Sequence, residues 1–148
     1  MVRNEKGFSL TELLISVAVI SVISAIVVPT FLQSRIAVNE VAAIKVVSDV
    51  LSSQMTYAST RDMGGYSPDL GALQEAGLID GLLGPGTALG YSFSVSGSSS
   101  TFSIHARPLV FGSSGTRSFF SDQTGVIRYT TDDSPATSTS PPLGQEGG

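Results

Sequence analysis

The chain has 148 residues, a formal net charge of -4 and no cysteine. This length suits one small domain together with an extended helix. The negative charge and the lack of a basic patch argue against nucleic-acid binding by bulk charge. Without cysteine, an exported domain of this chain has to be held together by packing and not by disulfides.

The most informative stretch runs from Lys6 to Pro29. From Leu13 to Ser34 no charged residue occurs, and this length of helix can cross a bilayer core of ~30 Å. Glu12 stands at the start of this run, where an acid costs ~2.5–3.5 kcal/mol in lipid and therefore usually has a partner. A cleaved secretory signal has a shorter apolar core, and small residues mark no clear cleavage site here. A plain membrane anchor explains neither Glu12 nor the glycine placed directly before Phe8.

The segment Lys6-Gly7-Phe8-Ser9-Leu10-Thr11-Glu12-Leu13 resembles the class III signal of type IV prepilins and the related pseudopilins. The resemblance covers about the first 60 residues. It implies that a prepilin peptidase cuts between Gly7 and Phe8 and that the new terminus, Phe8, is N-methylated. It also implies that Glu12 is the family's assembly acid and that Pro29 is its helix-kinking proline.

The chemistry of these positions agrees with the resemblance. Gly7 has no side chain, so its backbone fits a tight protease cleft. Arg3 and Lys6 favour a cytoplasmic N-terminus by the positive-inside rule, which leaves the C-terminal domain outside. Cleavage would place the amine of Phe8 next to the bilayer, where an acid and an amine favour meeting. Glu12 could pair with this amine in its own chain, four residues away on a helix, or in a neighbouring subunit, the alternative that the resemblance favours.

The fold class expected is α+β. A long N-terminal α-helix, apolar in its first half and kinked near Pro29, packs through its amphipathic second half on a small antiparallel β-meander, as the resemblance to type IV pilins implies. The expected organisation is a leader (1–7), a transmembrane or filament-core helix (8–34), the amphipathic half of that helix (35–59), a connecting segment (60–89), a β head (90–130) and a flexible Ser/Thr/Pro/Gly tail (131–148).

Within the amphipathic half, apolar residues recur at spacings of three and four and predict the face that packs on the sheet: Ala37, Val41, Ile44, Val47, Leu51, Met55 and Ala58. Val38, Val46 and Val50 widen this face and are candidates for contact with other subunits. Glu40 falls within it without an assigned role. In the connecting segment, a short helix is predicted with Ser67 as its N-cap and Gly77 as its stop.

Alternating residues predict the strands. One hairpin is formed by 90–96 and 101–107, with Tyr91 and Phe93 on one face of the first strand and Phe102 and Ile104 on the inner face of the second. A second hairpin is formed by 117–122 and 126–130. The tail is rich in Ser, Thr, Pro and Gly, a composition typical of disorder.

No catalytic set stands out, so we expect no enzymatic activity, cofactor or metal. His105 is the single histidine and is expected to face solvent. Asp122, Asp132 and Asp133 are acids near turns that could bind Ca²⁺, but such acids are more often simply solvated.

The function expected from the resemblance is a structural subunit of a type IV pilus, with adhesion, twitching motility or DNA uptake as outputs. The partners implied are further copies of the chain, the prepilin peptidase and N-methyltransferase, the inner-membrane assembly machinery and membrane lipid. The chain would reside in the bacterial inner membrane before assembly and in the extracellular pilus afterwards. A pseudopilin of a type II secretion system and a single-pass membrane-anchored binding protein remain the alternatives.

Overall fold

The computed structural model describes residues 7–60 and 64–144. The chain divides into two compact units, 1–34 and 35–148. Predictions that fall on Met1–Lys6, Arg61–Met63 and 145–148 lie outside the described residues. The expected α+β class is confirmed, with a long apolar N-terminal helix and an antiparallel sheet.

Helix α1 spans Leu10–Thr60 and contains Pro29. It begins two residues later than predicted, because Ser9 caps its N-terminus. Proline cannot donate to the carbonyl of Ala25, four residues earlier, and its ring crowds that carbonyl. The helix nevertheless remains continuous through residues 24–28, and the kink near Pro29 stays a prediction.

The buried face of α1 matches the predicted one only in part, since Val47 is fully buried and Ile44 and Leu51 pack against the core. The residues that pack against the sheet side are Glu40, Ala43, Val47, Val50, Ser53 and Gln54. Val41 and Met55, which were predicted to lie on this face, are exposed, and Val50, predicted to contact other subunits, is fully buried. Polar side chains on the packing face and valines on all sides make the apolar periodicity a poor guide to the rotation of this helix.

Helix α2, Leu70–Glu75, has Asp69 as its N-cap, and the prediction of Ser67 in that role was wrong. The Asp69 carboxylate accepts a hydrogen bond from the Ala72 N–H at 2.8 Å, as expected of a cap residue. The predicted stop is confirmed: Gly77 adopts a φ of 71°. The Leu78 N–H then donates to the Leu73 carbonyl, which closes a Schellman motif.

Ser67 instead binds the side chain of Gln54 through its backbone. It is buried, and its N–H donates to Oε1 of Gln54 at 2.8 Å while Nε2 of Gln54 donates to the Ser67 carbonyl at 3.1 Å. Gln54 is itself fully buried. The pair of bonds satisfies the amide and fastens the connecting segment to α1.

Five antiparallel strands form a meander in the order β1-β2-β3-β4-β5. Their bounds are Thr87–Ala88, Tyr91–Gly97, Phe102–Pro108, Ser118–Asp122 and Arg128–Thr130. The two predicted hairpins are present, but β1 was missed because a two-residue strand leaves no alternation to detect. The inner face carries Tyr91, Phe93, Phe102 and Ile104, all buried against α1 and α2.

The stretch after β5 was predicted to be flexible, and within residues 131–144 the structure instead pairs it with the sheet. The Tyr129 N–H donates to the Pro141 carbonyl at 3.0 Å, and the Leu143 N–H donates to the Ile127 carbonyl at 2.7 Å. Ala136 is almost completely buried. Backbone groups at a sheet edge accept partners regardless of the side chains that follow, so composition alone gave the wrong expectation.

His105 is half-buried beneath this stretch, and its prediction as a solvent-facing residue was wrong. Its ring lies 5.0 Å from the ring of Phe120, edge to face. Burial lowers the pKa of His105, and a hydrogen bond with the Ala136 backbone opposes this in part. His105 therefore belongs to the packing between the sheet and the C-terminal stretch.

Glu40 joins α1 to the loop before β4. It is 5% exposed, and its Oε1 accepts hydrogen bonds from both the N–H and the hydroxyl of Thr116, each at 2.8 Å. Its Oε2 accepts from Nε of Arg117 at 2.7 Å. The guanidinium of Arg117 also lies 5.7 Å from the ring centroid of Phe119. A buried carboxylate whose two oxygens are both bonded explains an acid on the packing face.

The Glu40 contacts set the direction of a pH effect. Burial by itself raises the pKa of Glu40, but the Thr116 hydrogen bonds, the Arg117 hydrogen bond and the Arg117 charge outweigh it and hold the pKa below its usual value of 4.5. A depressed carboxyl pKa contributes stability above the unfolded-state pKa and loses it as the pH falls through the folded-state pKa.

We expect Glu40→Ala to destabilise residues 35–144 by about 2 kcal/mol. This is less than the ~3–5 kcal/mol typical of breaking a fully buried pair, because the Arg117 side chain is 28% exposed. Thermal unfolding of the purified full chain in detergent, followed by tyrosine near-UV circular dichroism, measures the loss.

Glu40→Gln is the matched control for charge. The stability difference between wild type and this variant should be constant above about pH 5 and shrink as the pH falls below 4.5, while the contribution of His105 cancels between the two proteins. A difference that does not change with pH would contradict the ionised state of Glu40.

Candidate processing and assembly site

The site predicted from the sequence lies at the start of α1. Gly7 and Phe8 precede the helix and are exposed, Phe8 to 92%. A Cβ added at Gly7 would meet no atom within 4 Å. The backbone on both sides of the expected cleavage bond is therefore accessible to a protease, and no contact within the described residues requires glycine at position 7.

Ser9 and Glu12 form a capping box, which the sequence analysis missed. The Glu12 Oε2 accepts a hydrogen bond from the Ser9 N–H at 2.8 Å, and the Ser9 Oγ accepts one from the Thr11 N–H at 3.3 Å. The Ser-x-x-Glu spacing before an apolar run was the signal that could have revealed it. Glu12 thus has a local structural role in this chain.

The capping box changes the two hypotheses for Glu12. Pairing with the Phe8 amine of the same chain assumed a helix that begins near Phe8, whereas Phe8 precedes the cap and lies outside the helix. The cap occupies one carboxylate oxygen, and a carboxylate has ~four lone-pair sites. Glu12 can therefore hold the cap and still accept a bond from a cation on another chain.

The apolar segment that follows presents its large side chains to the surroundings on every side. All residues of 7–34 are exposed, and α1 contains a stretch long and apolar enough to cross a membrane. Four hydroxyls in this segment donate to the carbonyl four residues earlier, at 2.7–3.0 Å: Ser16, Ser21, Thr30 and Ser34. Because each hydroxyl donates its hydrogen bond within the helix, these residues are compatible with lipid or with an apolar protein core.

The acids considered for Ca²⁺ are engaged with neighbouring groups. Asp122 Oδ1 accepts from the Thr124 N–H at 2.9 Å, and Asp132 Oδ1 accepts from the Thr130 hydroxyl at 2.6 Å. Asp133 lies 3.6 Å from the Arg107 guanidinium. Among the described residues, no group of three or more His, Asp or Glu side chains is arranged to hold a metal ion.

The chain thus combines a Gly7–Phe8 bond, an acid four residues beyond Phe8, a long apolar helix that begins at Leu10 and an antiparallel sheet. The family model of the prokaryotic N-terminal methylation motif matches residues 2–28. This match includes Gly7, Phe8 and Glu12 and ends one residue before Pro29.

The chain is also similar to the type IV wide pilus major component PilA4 of Thermus thermophilus, with 34% identity over 76 residues. The aligned part is 51% of this chain and 56% of that protein, so the chain spans about half the length of the curated relative it matches. The first part of the chain thus carries the prokaryotic N-terminal methylation motif, and about half of the chain is similar to a type IV pilus component.

We expect Gly7→Val to abolish leader removal, since a branched side chain would clash in a narrow protease cleft. Gly7→Ala should reduce processing less. Both are read as the ratio of full-length to shortened chain on a gel, after expression with a prepilin peptidase. Because position 7 is open on this chain, misfolding would not explain a loss. Normal processing of Gly7→Val would contradict cleavage after Gly7.

Proposed function

We propose that the chain is a structural subunit of a type IV pilus filament. A prepilin peptidase cuts between Gly7 and Phe8, Phe8 is N-methylated, and the inner-membrane machinery then assembles the subunits. The observation that carries the proposal is the exposed apolar segment 8–34, which follows this bond directly and is helical from Leu10 onward. A surface of that size needs lipid or other subunits to cover it.

The same apolar surface serves both stages of the proposal. Before assembly, residues 8–34 lie in the inner membrane with the N-terminus cytoplasmic, and the head faces outward. During assembly they leave lipid for a filament core formed by the corresponding helices of neighbouring copies. Both environments are apolar, so the transfer costs little hydrophobic free energy.

Glu12 supplies the selectivity of assembly in this proposal. Its carboxylate meets the Phe8 amine of a neighbouring subunit, since an unpaired charge in an apolar core is strongly disfavoured. The capping bond to the Ser9 N–H leaves lone pairs on the Glu12 carboxylate that can accept a bond from the amine of a neighbouring subunit.

A pseudopilin of a type II secretion system is the second candidate, since the same N-terminal signal occurs in both groups. The similarity to a pilus major component favours the pilus. A single-pass anchor that displays a binding head is a third candidate, and it requires neither cleavage nor N-methylation at Phe8. Recovery of the chain in long fibres sheared from cells separates the pilin from the pseudopilin.

We expect the mature protein, isolated from a membrane or fibre fraction, to begin with N-methylated Phe8. Intact-mass and peptide mass spectrometry would read the loss of Met1–Gly7 and the added methyl group. An unprocessed chain in a host with an active prepilin peptidase would contradict the proposal and favour the plain anchor.

Three variants separate the local cap from the charge pair. Glu12→Gln keeps an oxygen for the Ser9 N–H, as glutamine also serves in capping boxes, but removes the charge, whereas Glu12→Ala removes both. Ser9→Ala weakens the cap by about 1 kcal/mol and keeps the charge. We expect the two Glu12 variants to be cleaved and to form at least tenfold fewer fibres, and Ser9→Ala to form near-normal amounts.

Quantitative immunoblotting of sheared fibres against total subunit measures this outcome. If Glu12→Gln assembled like wild type while Ser9→Ala failed, the capping box and not the charge would be what assembly requires.

A further inference from the structure

The outer face of the sheet, opposite α1, carries a row of side chains that lie side by side on neighbouring strands. His105 is paired with Ser94 on one side and with Phe120 on the other. Phe120 is paired in turn with Arg128, and paired residues of antiparallel strands share a face. Consecutive strand residues point to opposite faces, yet Phe119 and Phe120 are 0% and 7% exposed. The outer face is therefore covered at Phe120, just as the inner face is covered at Phe119.

The cover is the loop of residues 131–140, which we call the C-terminal strap. Within this loop Ala136 alone is buried, at 1% exposed, and its backbone is hydrogen-bonded to His105. The ring of His105 lies 5.0 Å from the ring of Phe120. The middle of the strap thus rests on the sheet through one small residue, and segments with so little buried apolar surface open at low cost.

The two ends of the strap meet at β5. Thr130 ends β5 and precedes the strap, while the carbonyl of Pro141, directly after the strap, accepts a hydrogen bond from the Tyr129 N–H at 3.0 Å. Nη1 of Arg128 donates to the Ser140 carbonyl at 2.9 Å. A loop whose ends are both held at one strand can lift in its middle while the strand pairing remains.

Position 105 is unfavourable for a positive charge. On β2 the residue paired with His105 is the uncharged Ser94. The carboxylate of Asp133 pairs with Arg107 at 3.6 Å, and hydroxyl groups bind the two other aspartates of this region. The charged residues that share the outer face or lie in the strap are two arginines and three aspartates: Arg107, Arg128, Asp122, Asp132 and Asp133. A proton on His105 would therefore add a third cation to a region whose carboxylates are already engaged.

Closure of the strap is coupled to the neutral form of His105. Burial lowers the pKa of His105 below its usual value of 6.5, although the hydrogen bond with the Ala136 backbone offsets part of this effect. Lifting the strap returns the ring to water, where its pKa rises towards the usual value. Closure therefore has its full strength above the open-state pKa, weakens as the pH falls through it, and changes no further below the closed-state pKa.

We propose that His105 is a pH-sensitive latch: its neutral ring holds the C-terminal strap closed on the sheet, and its protonation lifts the strap and exposes Phe120. The inner face does not depend on the strap, since Ile104 and Phe119 are fully buried there in the core shared with the helices. The head therefore stays folded while its outer face gains an apolar surface. The inference goes beyond the proposed function, because it concerns the head alone and does not require cleavage or assembly.

Spin labels on the full chain in detergent micelles measure the opening. The chain has no cysteine, so the pair Ser96→Cys and Ser138→Cys is labelled uniquely. Both serines are exposed, one on β2 and one in the strap. Double electron–electron resonance gives the distance between the labels in samples frozen from about pH 7.5 and about pH 5, a range above the usual aspartate pKa of ~3.9.

The matched control is His105→Gln in the same labelled chain. Glutamine keeps a hydrogen-bonding side chain beside Ala136 but takes up no proton in this pH range. With His105 present, we expect the population with the longer label distance to grow at least twofold on acidification. In His105→Gln it should stay constant. Equal growth in both proteins, or none with His105 present, would overturn the latch.

Two measurements on the unlabelled chain serve if His105→Gln fails to fold. The chain has a single histidine, so the NMR signals of its ring protons report the protonation of His105 alone. The midpoint of this titration should coincide with that of the opening, and an opening centred at another pH would overturn the latch. Tyrosine near-UV circular dichroism should stay constant over the same range, and its loss would show that the whole head unfolds, which would also overturn the proposal. None of these outcomes bears on leader removal or fibre formation, which test the proposed function separately.

Discussion

One constraint governs this chain: a single 51-residue helix has to suit two different surroundings. Its first part exposes leucine, isoleucine and valine on all sides, while its second part packs against a small sheet. Water cannot accommodate the first part, since full burial of each such side chain is worth ~1.5–3 kcal/mol relative to exposure. The apolar segment is therefore stable only when lipid or other apolar helices surround it. The head adds little apolar surface of its own apart from short loops.

The polar residues of α1 follow from the same constraint. In the first part, the hydroxyls of Ser16, Ser21, Thr30 and Ser34 donate hydrogen bonds to backbone carbonyls of the same helix. The surface that faces neighbouring molecules therefore remains largely apolar. In the second part, Glu40 and Gln54 are buried but fully engaged by the loop before β4 and by Ser67. Apolar packing alone would tolerate small rotations of a valine-rich helix, whereas these bonds have narrow geometry. We infer that they fix the rotation of α1 within the head.

The fold class could be predicted because its signals are local: a long uncharged run, alternation in β2 and β3, and glycine after α2. The buried face of α1 could not, since Val38 and Val41 look as suitable for packing as Val47 and Val50, and Glu40 looked unsuitable until Thr116 and Arg117 were placed beside it. The order of residues 131–144 was missed for a related reason. Composition describes a segment by itself, whereas Ala136 is buried in the fold and the Leu143 N–H is bonded to the Ile127 carbonyl.

The residues of the candidate site remain a prediction, while its local geometry differs from the one expected. Gly7, Phe8 and Glu12 were identified by spacing, yet the capping box assigns Glu12 a first task that needs no second chain. The two tasks are compatible because the cap orders the acid at the very beginning of the helix. A carboxylate held by the Ser9 N–H loses little further freedom when an amine approaches, which lowers the entropic cost of pairing. The capping bond of Glu12 is therefore compatible with the intermolecular pairing that we propose.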